Sequence, residues 1–161
     1  MNKFTIRPAQ EEECALLLSF IQKMAEFEKL AHEVLNNEAL LRENVFRKKY
    51  AETYFLEEDN VVIGFAVFFF TYSTFTGCPT LYVEDVFIDE PYRGKGYGKK
   101  TFIFIAREAV ARGCARMEWT VLDWNMPAVN FYHSIGAQPM DGWTVQRLSG
   151  KTLEDFANTA L

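Results

Sequence analysis

The stretch Tyr92-Arg93-Gly94-Lys95-Gly96-Tyr97-Gly98-Lys99-Lys100 constrains this chain more than any other. It follows a run of strand formers, Thr80 to Ile88, and opens a helical pattern, Tyr97 to Arg112. Glycine tolerates left-handed backbone and lets another group come close to the main chain. Successive N–H groups in such a loop make an anion-binding hollow. A helix N-terminus adds unsatisfied donors and partial positive charge. Arg93, Lys95, Lys99 and Lys100 concentrate cations there in an otherwise acidic chain. A diphosphate is the guest this loop suits. The plainer alternative is a glycine turn with a solvated basic face; the basic cluster and the strand-loop-helix context weigh against it.

Two phosphate motifs are excluded. A Walker A loop needs Gly-x4-Gly-Lys-Ser/Thr. Arg93 stands five residues before Gly98, and Lys100 stands where the hydroxyl should be. The dinucleotide fingerprint needs Gly-x-Gly-x-x-Gly in a parallel unit. Here the spacing is Gly-x-Gly-x-Gly, and antiparallel-looking strands precede it.

The rest of the chain sets the architecture. At 161 residues it reads as one domain, 1–161, large enough to bury its own core. Lys3 to Arg7 alternates as a short edge strand ended by Pro8. Apolar residues at 14, 17, 18, 21, 24 and 25 predict a helix within Glu11–Leu30. A second helix is expected over about Asn37–Phe46, with Asn36 or Asn37 as N-cap. Strands Glu52–Glu57 and Val61–Tyr72 flank a turn at Glu58-Asp59-Asn60, and Thr80–Ile88 is a third strand. The helix after the glycine loop ends at Gly113. Strand Arg116–Leu122, helix Pro127–Ile135 between Asn125 and Gly136, strand Trp143–Leu148 and helix Lys151–Thr159 complete the pattern. The helical crossover makes Thr80–Ile88 and Arg116–Leu122 parallel. The class is α/β or α+β, one mixed sheet covered by helices. Fifteen Phe predict a Phe-rich core.

Seventeen basic residues against 22 acidic give a net charge of −5. That argues against nucleic acid and against anionic membrane as partners. The longest apolar stretch, Val61 to Phe70, is about half the length of a membrane helix and contains Gly64. The N-terminus lacks the apolar region of a signal peptide, so a soluble cytoplasmic protein is expected. Cys14, Cys78 and Cys114 are odd in number, far apart and without a CxxC; reduced, packed thiols and no metal site are expected. His32 and His133 are isolated and read as surface residues.

Glu84 and Asp85 lie between apolar runs, where carboxylates are costly without a role. On a regular strand they face opposite sides; a bulge would change that. A charged strand end is the plainer alternative.

Several segments then converge on one resemblance. Arg93-x-x-Gly96-x-Gly98 resembles the acetyl-CoA loop of the GNAT N-acetyltransferase superfamily. A narrower family, the diamine acetyltransferases of spermidine/spermine or thialysine type, is similar over most of the chain. The similar segments are Phe4-x-Ile6-Arg7-Pro8-Ala9, Glu26-Phe-Glu-Lys-Leu30, Phe68-Phe-Phe-Thr-Tyr72, Leu81-Tyr-Val-Glu-Asp-Val-Phe87, Val121-Leu-Asp-Trp-Asn125 and Asn130-Phe-Tyr132-x-x-x-Gly136-Ala137.

The resemblance implies a GNAT fold, a mixed, mostly antiparallel sheet with a central parallel strand pair that splays apart. It implies acetyl-CoA as cofactor. Val86, Phe87 and Ile88 would offer their backbone to the pantetheine arm. Arg93, Gly94, Lys95, Gly96, Tyr97, Gly98 and Lys99 would hold the pyrophosphate, and Asn125, Pro127 and Ala128 would add cofactor contacts. Glu84 would be the base, acting through water, and Tyr132 the acid for the departing thiolate. Phe27, Glu28 and Asp85 would bind the amine, with Glu118 and Trp119 lining its channel. Asp141 stands near another acidic substrate position of the family, in a segment shorter here. The implied activity is transfer of acetyl to a primary amine of a small diamine, polyamine or lysine-like amino acid, by a homodimer, with the thialysine branch favoured. A protein acetyltransferase and a non-catalytic acyl-CoA-binding module are the alternatives.

Overall fold

A computed structural model describes residues 2–160. They form two compact units, one through Thr120 and one from Val121.

The first unit is built on a five-stranded sheet in the order β1-β2-β3-β4-β5: β1 Phe4–Pro8, β2 Glu52–Glu58, β3 Val61–Ser73, β4 Cys78–Ile88 and β5 Arg116–Trp119. Neighbours from β1 to β4 are antiparallel, and β4 with β5 is parallel, as the crossover requires. The β2–β3 hairpin turns on Asp59 and Asn60, both left-handed at φ 50° and 66°. Asp and Asn tolerate that conformation, and a two-residue turn of this hand matches strand twist. Glu58 belongs to β2 rather than to the turn.

Helix α1, Cys14–Phe27, covers one sheet face. Its Cys14, Leu17 and Phe20 pack with Phe55, Phe65 and Phe87. Helix α3, Tyr97–Ala111, covers the other, where Ile105 and Ala109 meet Ala66, Phe68, Leu81 and Val83. Phe55, Phe65 and Phe68 are fully buried, so the core is Phe-rich as composition suggested. Each such ring contributes roughly 1.5–3 kcal/mol on burial. Helix α3 ends where Gly113, at φ 71°, donates to Val110 O and Cys114 donates to Ala109 O. That paired motif satisfies two terminal carbonyls.

The second predicted helix is shorter. Asn37 is its N-cap, accepting from Leu40 N at 3.0 Å, but α2 covers only Glu38–Leu41 before widening into π-type turns over Arg42–Arg47. Strand β5 stops at Trp119 rather than Leu122.

The second unit contains α4, Met126–Ser134, and α5, Gly150–Ala157. The strand expected at Trp143–Leu148 does not form. Trp143 and Val145 are 81% and 79% exposed there. Strand propensity needs a partner to satisfy its backbone and pack its side chains. The parallel pair therefore lies at one side of the described sheet, with no sixth strand beside β5. Among the described residues no helix is long and apolar enough to cross a membrane.

Candidate active site

The site begins with an irregularity in β4. Val67 of β3 pairs with Asp85, yet its neighbour Phe68 pairs with Val83, which leaves Glu84 as an extra residue. Before it, Leu81 and Val83 pack under α3; after it, Val86 does. The apolar phase thus moves from odd to even positions. Glu84 and Asp85 consequently share the face that looks toward α1.

Glu28 caps the end of α1 and donates its N–H to Met24 O at 2.9 Å. Burial pushes its carboxyl pKa up. Asp85 is raised further, to about 7, first by burial and then by the charges of Glu84 and Glu28. Glu84 is exposed. Three carboxyls so grouped repel one another and favour a cationic guest.

Beside them β4 has a free edge. Its pairing with β5 ends at Val83 and Trp119, while β4 itself runs on to Ile88. Val86, Phe87 and Ile88 therefore have β3 on one side and no strand on the other, among the described residues. An extended ligand could add there like a strand. Gly64 holds β3 unusually close: a Cβ on it would lie 2.1 Å from Phe87 O.

The glycine loop follows. Gly94 and Gly96 are left-handed at φ 77° and 80°, and Gly96 is the N-cap of α3. After Arg93 the next backbone N–H with a backbone acceptor among the described residues is that of Lys100, on Gly96 O at 3.1 Å. The amides from Gly94 to Lys99 are thus open donors at the N-terminus of a 15-residue helix, which suits a diphosphate.

Other expected site residues have definite places. Arg93 folds back: its Nε donates to Ile88 O at 2.8 Å, and its guanidinium lies 4.4 Å from the Phe27 ring and 5.4 Å from that of Phe87. It braces the end of β4 against α1. Lys95 donates to Glu58 at 3.0 and 3.1 Å, and Lys100 lies 5.4 Å from the Tyr97 ring. Lys99 is exposed. Glu118 pairs with Arg116 at 2.8 Å on the carboxylate face of the sheet. Trp119 lies on the opposite face, its ring edge-on to Phe102 at 5.1 Å. These two neighbours alternate, so they do not line one wall together.

In the second unit Asn125 caps α4, its Oδ1 accepting from Ala128 N at 3.4 Å, with Pro127 in the first turn. Tyr132 lies on α4 with its ring 5.5 Å from that of Phe131. Asp141 lies in the turn before Trp143.

Sequence reasoning passed over Gly64 and Glu58. Gly64 left no signal beyond being a glycine inside a strand pattern, which itself hints at close backbone approach. Glu58 read as part of a polar turn. The bulge did leave a trace, the phase change from Leu81 and Val83 to Val86 and Ile88.

Comparison with known proteins places the chain in a family. Residues 18–137 match the profile described as the acetyltransferase (GNAT) family. The chain is 35% identical to a mouse thialysine N-epsilon-acetyltransferase, covering 98% of this chain and 99% of that protein. It is 46% identical to an L-ornithine N5-acetyltransferase of Arabidopsis thaliana over 60% of this chain and 42% of that one. An integron cassette protein of Vibrio cholerae superposes with a TM-score of 0.82 at 24% identity, covering 97% of this chain and 98% of its own. That last likeness concerns the fold.

Proposed function

This chain belongs to the acetyltransferase (GNAT) family and is an N-acetyltransferase, and on that premise we propose that it moves acetyl from acetyl-CoA to a primary amine of a small diamine, polyamine or lysine-like amino acid. The observation that carries the proposal is the β4 bulge. It puts Glu84 and Asp85 on one face with Glu28, directly before the free edge of Val86–Ile88 and the glycine loop.

The residues fit the cofactor. The open amides from Gly94 to Lys99 would take its diphosphate, and the free edge of β4 would take its amide-bearing arm. Bound there, the cofactor supplies an activated acetyl group. The acceptor amine is mostly protonated at neutral pH, with a pKa near 10. Glu84, exposed to solvent, takes that proton through water. Asp85 and Glu28 hold positive charge on the acceptor, and a second amine suits their number. A backbone N–H on the free edge of β4 would supply a donor for negative charge developing on the acetyl oxygen. Tyr132 would give a proton to the departing thiolate. The mouse and plant relatives are named for thialysine and ornithine, both amino acids with a second amine, which supports that acceptor class. A cytoplasmic homodimer is the setting we propose; light scattering tests the dimer.

The test is thiol release from acetyl-CoA across putrescine, spermidine, spermine, lysine, ornithine, thialysine and 2,4-diaminobutyrate. Release dependent on one of them supports the proposal and names the acceptor. CoA binding without release on any of them overturns it in favour of a protein amine.

A further inference from the structure

Glu58 ends β2, and it is buried although charged. A buried carboxylate needs partners. Glu58 has three: it accepts from the Tyr97 hydroxyl, from Lys95 Nζ at 3.0 and 3.1 Å, and from Asn2 Nδ2 at 2.8 Å. Lys95 and Tyr97 are the two residues that flank Gly96. One carboxylate therefore grips the glycine loop on both sides of Gly96, left-handed at φ 80°. Three further contacts brace the anchor. The Tyr97 ring stacks on Phe4 at 4.4 Å, and the hairpin tip is tied to Lys3, just before β1, by Asp59 N to Lys3 O at 2.9 Å and Lys3 N to Asp59 Oδ1 at 2.8 Å.

We propose that Glu58 is a positioning residue for the diphosphate cradle, holding the backbone of Lys95-Gly96-Tyr97 in the shape that presents its amides. The inference rests on the proposed cofactor site. Gly96 without a side chain has many accessible conformations, and an untethered loop must be ordered by the ligand itself. Glu58 orders it beforehand. Its effect is specific: it acts on the part of the donor that carries phosphate and not on the acetyl group or the amine.

The experiment compares two acetyl donors, acetyl-CoA and acetyl-pantetheine, which lacks the diphosphate. Variants are Glu58→Gln, which removes the charge, and Tyr97→Phe, which keeps the ring stack and removes one tether. Calorimetry with CoA comes first. For Glu58→Gln the expected result is a tenfold or greater rise in Kd for CoA and in KM for acetyl-CoA, with kcat at saturation and KM for the amine within about twofold of the parent. With acetyl-pantetheine the variant and parent should have the same kcat/KM. Tyr97→Phe should move the same constants in the same direction, and it decides the matter if Glu58→Gln does not fold. Unchanged CoA affinity in the folded variants overturns the inference while leaving the cofactor site standing. So does an equal loss with both donors, which would mark a general structural role. Failure of the parent protein to bind CoA overturns the proposed cofactor site, and this inference with it.

Discussion

Val83 and Val86 pack into the same apolar cluster beneath α3, although residues three apart on a regular strand face opposite ways. One extra residue, Glu84, lies between the pairs Phe68–Val83 and Val67–Asp85. That single insertion turns two neighbouring carboxylates onto one face. It also coincides with the last rung of the β4–β5 ladder, so the carboxylates lie where β4 acquires a free edge.

The raised pKa of Asp85 makes the site sensitive to pH. An unfolded Asp titrates near 3.9, and the folded one at about 7. Between these values the folded protein binds the extra proton, so this group's contribution to stability is lost as pH rises through the window. The slope is at most about 1.4 kcal/mol per pH unit. Asp85→Asn should remove that slope in urea titrations run from pH 4 to pH 8. In the parent, affinity for a diamine measured with CoA present should increase as pH rises through about 7. Asp85→Asn should flatten that rise.

Glu84→Gln should lower kcat by about 10²–10⁴-fold at neutral pH, the usual worth of a positioned base. Because Glu84 is exposed and forms no ion pair among the described residues, its loss should leave Tm nearly unchanged. CoA affinity by calorimetry should also be unaffected. A kcat within threefold of the parent would remove Glu84 from the chemistry.

Tyr132→Phe should preserve CoA affinity and lower kcat by about 10²-fold if the hydroxyl supplies the thiolate's proton. The sharper readout is the leaving group. A thioester whose thiol has a lower pKa needs less help, so the deficit of the variant should shrink with such a donor. An equal deficit for every thiol would reduce Tyr132 to a packing role on α4.

Two glycines should fail for different reasons. In Gly64→Ala the new Cβ would meet Phe87 O at 2.1 Å, so a strand must move. Overpacking of this kind costs about 1–3 kcal/mol, and each kcal/mol is worth about 2–4 °C of Tm at this chain length. In Gly96→Ala nothing stands within 4 Å of the added carbon, but φ is 80°. The cost is backbone strain of about 1–2 kcal/mol. Both variants should lose Tm, by about 2–12 °C for Gly64→Ala and about 2–8 °C for Gly96→Ala, and calorimetry separates them: CoA Kd should rise in Gly96→Ala.

Local signals decided much of this protein. The glycine loop, the hairpin at Asp59 and Asn60, the Asn37 and Asn125 caps and the Gly113 stop are each set by residues within a few positions of one another, so they are legible without a fold. The periodicity of α1 and the crossover that makes β4 and β5 parallel are local in the same sense. The strand expected at Trp143–Leu148 failed because a strand is a relation to a partner, and propensity names no partner. The contacts of Arg93 with Phe27, Phe87 and Ile88 O join three separate segments, so no local pattern announces them. The grip of Glu58 on both sides of Gly96 spans 37 and 39 residues of chain. Sequence order determined which groups are at hand for the proposed chemistry. Tertiary structure decided which carboxylates share a face and which one holds the loop, because burial and charge depend on neighbours in space.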